Sequence, residues 1–373
     1  MKTKLLLSTL ALALAFASCK KDSKKPESEP TPTAPPYNVP TSYTFTNVNF
    51  TSSAQRIAML GEITTYIRST HTTTSATQPT LSAQKLKDMY ANAASQYTDA
   101  ALNSSGIQLK DKTSSAFSYP AELEGYFDDC QPASITAAAN PTTTTASNGV
   151  KGKLISPTRA ILVNGNGFEY KELAEKGIMG TVFYYQAMTI MANISTYDNT
   201  IITNSLTAQE KAWDEAFGYF GVPVSFPTNT VGLKFWGIYA NSVNVAIGCN
   251  STIMNAFLKG RAAISNKDNT ARDEARNVVM STWEKIVAAK CIGYLKGAKN
   301  NLTDQATLHH NLSEGYGFVV AFNYNSAKTI SDADINSLLG YFGTNLFNLS
   351  PSNLDLAISK LELVFGLNAA LIP

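Results

Sequence analysis

The sequence predicts an all-α protein: one or two up-down helix bundles packed together, preceded by a short extended N-terminal arm. Two observations carry this expectation. Apolar residues recur every three or four positions in most segments beyond residue 50, and proline, glycine and capping residues stand between those segments. No internal repeat is found, which sets aside a helical repeat array.

The elements follow in order. Residues 37–50 look extended, because Tyr43, Phe45, Val48 and Phe50 are strand-formers separated by polar residues. Ile57, Leu60, Ile63 and Ile67 keep helical spacing. Leu81, Leu86, Met89, Tyr90 and Ala93 do so again, behind Ser82 as N-cap. Residues 102–157 hold Pro120, Pro132, Pro141 and a threonine run, and read as an irregular surface excursion with short helices. Helices then dominate: 169–195, 207–220 (stopped by Pro223 and Pro227), 233–263, 269–299, 302–325 with a weak point at Gly315 and Gly317, 332–342 and 351–367. Gly260 inside a helix costs about 1 kcal/mol relative to alanine and points to a close helix crossing; Gly180 suggests another.

The N-terminus has a different plan. Lys2 and Lys4 precede an apolar run that ends Phe16-Ala17-Ser18-Cys19. A short basic region, a short apolar run and small residues before a cysteine are the pattern of a bacterial lipoprotein signal. Residues 1–18 are therefore expected to be a signal peptide, with a lipid carried on Cys19. Residues 19–42 are rich in Lys, Pro, Glu, Ser and Thr and read as a flexible tether. The helical domain would occupy 43–373. A lipid of this kind anchors a protein to a membrane without spanning it. Lys20 and Lys21 do not look like an inner-membrane retention signal, which favours the outer membrane.

A net charge of +2 gives no electrostatic case for a nucleic-acid partner. Beyond Cys19 stand Cys130, Cys249 and Cys291, which fit either one disulfide and a free thiol or three separate buried thiols. No Cys-x-x-Cys spacing points to a zinc site.

Few residues can carry chemistry. His71 sits in Ser/Thr-rich sequence behind a helix and reads as a cap or a solvent-exposed side chain. His310 and Glu314 stand four apart on a helix, so their Cβ atoms share one face about 6 Å apart. That pair could hold a divalent metal, share a proton, or form a plain ion pair. Asp214 and Glu215 follow Trp213 and could add acid to a pocket containing His310, or simply belong to an amphipathic helix end. Arg261, next to Gly260, could pair with buried Asp214 or Glu314, receive an anionic ligand, or face solvent. Asn164-Gly165-Asn166-Gly167 is a turn signal. No phosphate-binding glycine loop and no Gly-x-Ser-x-Gly elbow occurs.

Tyr37-Asn38-Val39-Pro40, the segment from Trp213 to Pro223, Lys259-Gly260-Arg261-Ala262-Ala263-Ile264 and the segment from His310 to Phe318 resemble an uncharacterised family of bacterial envelope lipoproteins. A more distant similarity is to the imelysin-like proteins, helical envelope proteins of two bundles linked to iron or haem uptake, some labelled metallopeptidases. Their signature is Gly-x-His-x-x-Glu. Here Leu308 stands two before His310, and Glu314 four after it. The resemblance implies a lipid-anchored binding protein serving iron or haem uptake, with a divalent metal or haem as ligand and an outer-membrane uptake receptor as partner. His310, Glu314, Asp214, Glu215 and Arg261 would then line its pocket. The alternatives are a metal-dependent hydrolase using the same residues, with Glu314 or Glu215 as general base, and an interaction lipoprotein of a surface complex.

Overall fold

Capping chemistry and proline stops place most helix boundaries in the computed structural model, which describes residues 36–373. The expected signal peptide, Cys19 and most of the tether lie outside the described residues. In chain order the helices are α1 (Thr51–Arg68), α2 (Ala83–Ala91), α3 (Ala100–Asn103), α4 (Tyr119–Ala139), α5 (Tyr170–Ile178), α6 (Tyr185–Ala192), α7 (Ala208–Phe220), α8 (Trp236–Ile247), α9 (Cys249–Ser265), α10 (Asn269–Lys299), α11 (Gln305–Ala321), α12 (Asp332–Phe342) and α13 (Pro351–Phe365). Ser82 accepts the Lys85 N–H at the head of α2, and Thr207 and Glu210 form a reciprocal capping box on α7. The all-α expectation holds, with two small antiparallel hairpins added: β1 (Gly152–Ile155) with β2 (Ala160–Val163), and β3 (Ile202–Thr203) with β4 (Leu206–Thr207).

The long helix α10 is the central post. It packs against α8, α9, α11 and α13, and its Trp283 meets Trp236 of α8 and Phe220 of α7 edge-on in the core. The N-terminal arm forms no strand. Instead the Tyr43 N–H donates to the Val224 carbonyl at 2.8 Å, and the Tyr43 ring stacks on Phe217 at 3.7 Å, fixing the arm to α7. Cys130, Cys249 and Cys291 are free and buried, the second of the two cysteine alternatives.

Several boundaries differ from expectation. Residues 102–157 contain α4, which buries Leu123, Phe127 and Cys130 and lies against α2, α5 and the first hairpin. Pro120 sits in its first turn, where the missing N–H has no partner to lose. The predicted helix over 233–263 breaks at Gly248, whose φ of +63° lets the chain turn from α8 into α9. By contrast α11 runs unbroken through Gly315 and Gly317. Gly317 serves close approach: a Cβ there would lie 2.4 Å from the Lys176 Cβ on α5. A Cβ on Gly260 would lie 2.1 Å from the Trp213 ring, so this glycine does mark a tight crossing, of α9 with α7.

Between α5 and α6 the helix does not stop. Met179–Tyr184 forms a π-helical turn, so 170–192 is one helical rod with a wider middle. Gly180 in that turn lies against Ala321 of α11. Among the described residues, no helix is long and apolar enough to cross a membrane.

Candidate functional site: an acidic cluster at the base of a cleft

The start of α5 is held in place by the middle of α11. His309 is buried and its Nδ1 is 2.8 Å from the Gly167 carbonyl. Ser313 accepts the Glu169 N–H at 2.9 Å. Gly167, at φ +82°, lies so close to the His309 ring that a Cβ would meet it at 2.4 Å. The predicted turn from Asn164 to Gly167 is therefore present and is clamped onto α11. The clamp aims Glu169, the N-cap residue of α5, at His310.

The result is a cluster of buried charge. His310 Nδ1 lies 2.8 Å from Glu169 Oε2 and 3.5 Å from Glu172 Oε1, and His310 Nε2 lies 3.8 Å from Glu314 Oε1. Lys176 Nζ sits between Glu172 (2.8 Å), Glu175 (2.5 Å) and Glu314 (3.0 Å). Lys171 Nζ bridges Glu172 (2.6 Å) and Glu175 (2.7 Å). Glu172 is fully buried, and Glu169, Glu175, Lys171, Lys176 and Glu314 nearly so. Taking so many charges out of water is costly unless they neutralise one another, and here Lys171, Lys176 and His310 offset most of the charge of the four carboxylates.

Two overlapping sets of side chains have the spacing of metal ligands: Glu169, Glu172 and His310, and Glu172, Glu175 and Glu314. They are not equivalent. The second set already has its cation, because the Lys176 ammonium stands among its three carboxylates. In the first set Lys171 and Lys176 pair with Glu172, at 2.6 and 2.8 Å, while Glu169 pairs with histidines alone. The imidazole and two carboxylates of this first set are the donors that suit zinc, manganese or iron.

Titration behaviour follows from these neighbours. Burial alone would raise Glu172, but Lys176, Lys171 and His310 outweigh it and hold that carboxyl well below its usual range. Burial and the nearby Glu172 push Glu314 up to about 7, against Lys176 and His310. Burial would lower His310, yet Glu169, Glu172 and Glu314 raise it. Glu314 Oε2 accepts no hydrogen bond, and its contact with Lys176 is purely ionic.

The cluster forms the base of a cleft of about 1520 Å³, lined among others by Phe50, Ile57, Phe235, Tyr239, Tyr294 and His71. His71 is neither exposed nor a cap. The turn after α1 folds its ring over the cluster, Nδ1 3.9 Å from Glu169 Oε1, with Nε2 buried and lacking a hydrogen-bond partner. Burial pushes its imidazole down to about 4, against the pull of Glu169. The unfolded chain would bind that proton near pH 6.5, the folded one only near 4, so this residue's contribution to stability is lost as pH falls between them. His71→Gln should therefore flatten the acid side of the melting-temperature profile. Parallel profiles for the two proteins between pH 7 and 4 would show that His71 is not held neutral.

Asp214, Glu215 and Arg261 do not join this cleft. Asp214 on α7 is fully buried and pairs with Arg261 Nε of α9 at 2.8 Å. It also accepts the Tyr43 hydroxyl at 2.8 Å and the Asn49 N–H at 3.1 Å. Arg261 reaches Glu210 too, at 2.9 Å, and so pairs with Asp214 rather than Glu314. Glu215 accepts the Tyr219 hydroxyl and lies 3.9 Å from Arg56. Of the five candidate pocket residues, then, the fold brings only His310 and Glu314 to the cleft. Asp214 and Arg261 lock the arm to the α7–α9 pair, a separate and structural role. Glu169, Glu172, Glu175, Lys171 and Lys176 were missed because Tyr170-Lys171-Glu172-Leu173-Ala174-Glu175-Lys176 alternates charges as a solvated helix face does.

Residues 40–346 match the family model described as Domain of unknown function (DUF4856). No curated protein and no solved structure matches the chain.

Proposed function

The chain belongs to the DUF4856 family, and from that premise we propose that it is a lipid-anchored metal-binding protein of the cell envelope. The observation that carries the metal reading is the set Glu169, Glu172 and His310 at the base of an open cleft. A bare ion suits this set better than haem. A small ion would sit between His310 Nδ1 and the Glu169 and Glu172 carboxylates and replace the contact between them, whereas a haem would need the space beside the ring that these two carboxylates and Glu314 fill. The envelope location rests on the lipoprotein pattern ending at Cys19 and on the family resemblance. Iron uptake, with delivery to an outer-membrane receptor, is the role we assign within that setting.

Metal would compete with a proton on His310, whose affinity for protons the carboxylates raise. Binding should thus release protons and weaken in acid. Titration calorimetry of the purified protein with Mn(II), Fe(II) and Zn(II) tests the reading. His310→Ala is expected to lose about a hundredfold in affinity or more. If wild type binds none of the three ions, or the variant binds them equally well, the cluster is a structural ion network.

One observation favours a second reading, the metal-dependent hydrolase. Glu314 is held near neutrality about one contact away from the candidate ligands, where a general base is useful. Peptide hydrolysis that is abolished by a chelator and by Glu314→Gln would establish it. Glu314→Gln with wild-type metal binding and no change in hydrolysis would end it.

A further inference from the structure

The cleft is much larger than a metal ion needs. Its volume of about 1520 Å³ exceeds that of ordinary small-molecule sites, and its charge is sorted by depth. The base carries the four buried carboxylates. The outer wall carries Arg68 and Lys234, both exposed, and Arg159 and Lys85, both half-buried. Among the described residues none of these four forms a salt bridge within 4.0 Å. Lys85 lies over the Tyr66 ring at 4.6 Å. Glu62, the carboxylate that shares the outer wall, is turned to the backbone amides of Thr98 and Asp99 at 2.6 and 3.0 Å. Phe235, Tyr239 and Tyr294 supply flat apolar wall between the two levels.

Resting on the metal reading above, we infer that the cleft takes its metal as a complex with a multiply charged carboxylate or phosphate ligand. The metal faces Glu169, Glu172 and His310, and the ligand's anionic groups reach the basic wall. Two features of the cluster suit this. His71 Nε2 is buried beside the base without a hydrogen-bond partner, so the base can still engage a guest, and Glu314 Oε2 is held there only by its ion pair with Lys176. And three ligands leave open coordination positions on the metal, which the incoming chelator would keep. A cavity built for a bare ion would close over it, while this one stays open. The outer cations would also raise the rate at which an anionic complex is captured, an effect that weakens with salt.

The sign of one effect decides the matter. A chelator in solution competes with any protein that binds only free metal, but assists a protein that binds the complex. Calorimetry on the full-length protein would use Mn(II) and Zn(II) alone, citrate alone, pyrophosphate alone, and each metal with each anion. The expected result is that one anion strengthens apparent metal binding by about tenfold, and that Arg68→Gln/Arg159→Gln/Lys234→Gln removes the gain while keeping affinity for the metal alone. Citrate and pyrophosphate distinguish the carboxylate from the phosphate source. If the metals bind alone and both anions only strip them away, the inference is overturned and the metal reading stands. If an anion binds equally with and without metal, the cleft is an anion receptor and the inference is overturned. If no metal binds in any arm, the metal reading fails and takes the inference with it.

Discussion

Lys176→Met is expected to destabilise the protein by about 3–5 kcal/mol. The ammonium group lies within 3.0 Å of three carboxylates on two helices and over the Tyr239 ring at 5.1 Å. Methionine fills the space and removes the charge. Glu172, Glu175 and Glu314 would then face one another with only Lys171 and His310 to balance them. Glu314, already pushed up to about 7, would be protonated across the whole physiological range. Urea unfolding measures the loss. The same variant also probes the metal reading, because removing the resident cation leaves a three-carboxylate set at ligand spacing. Added Mn(II) or Zn(II) should raise the melting temperature of Lys176→Met more than that of wild type, since a ligand that binds only the folded state stabilises it. A variant within about 1 kcal/mol of wild type would mean that the carboxylates neutralise themselves by protonation at little cost.

Arg261→Met should cost a similar amount, about 3–5 kcal/mol, at a site remote from the cleft. Arg261 and Asp214 are both almost wholly buried, and burial raises the Asp214 carboxyl despite the arginine beside it. Without the guanidinium, Asp214 keeps the Tyr43 hydroxyl and the Asn49 N–H but loses its counter-charge. The contact of Arg261 with the Phe45 ring at 5.2 Å goes as well. The loss should be largest at neutral pH and shrink in acid, where Asp214 takes up a proton. Arg261→Met/Asp214→Leu is expected to recover much of the stability, because removing both charges leaves nothing uncompensated. If the double variant is no more stable than the single one, the pair matters through its hydrogen bonds to the arm instead. Metal binding should survive in both, which separates this pair from the cleft.

How much of this was legible in the sequence depended on distance along the chain. The periodicity that predicts helices is local, and so is the four-residue spacing that places Glu314 on the face of His310. Gly260 marked its crossing because glycine in a helix needs a reason. Asp214 could be guessed as one partner of Arg261 because that arginine stands beside Gly260, where a close crossing would bury it. The rest depended on contacts far apart in sequence. Glu169 and His310 are 141 residues apart, and nothing near Glu169 signals that α11 will cover it. His71 looked exposed because hydroxyl-rich sequence surrounds it, yet the turn after α1 folds it over the cleft. Similarly, α4 was missed because Pro120 and Pro132 read as breakers, although one stands in the first turn and the other is accommodated inside the helix.

The π-helical turn at Met179–Tyr184 has the geometry of an ordinary helix into which one residue has been inserted. Upstream, the charged face of α5 must look into the cleft; at the end of the turn and beyond it, Phe183, Tyr184 and Met188 must look into the aromatic core. A uniform α-helix advances about 100° per residue, so one residue fewer in the turn would rotate one half against the other by about that angle. Either the carboxylates would leave the cleft or the aromatics would leave the core. The wide turn is thus a phase adjuster, letting a single rod obey two facing rules that a regular helix could not satisfy together. Shortening it by one residue should separate the two requirements, and the half that keeps its alignment would reveal which the fold holds more firmly.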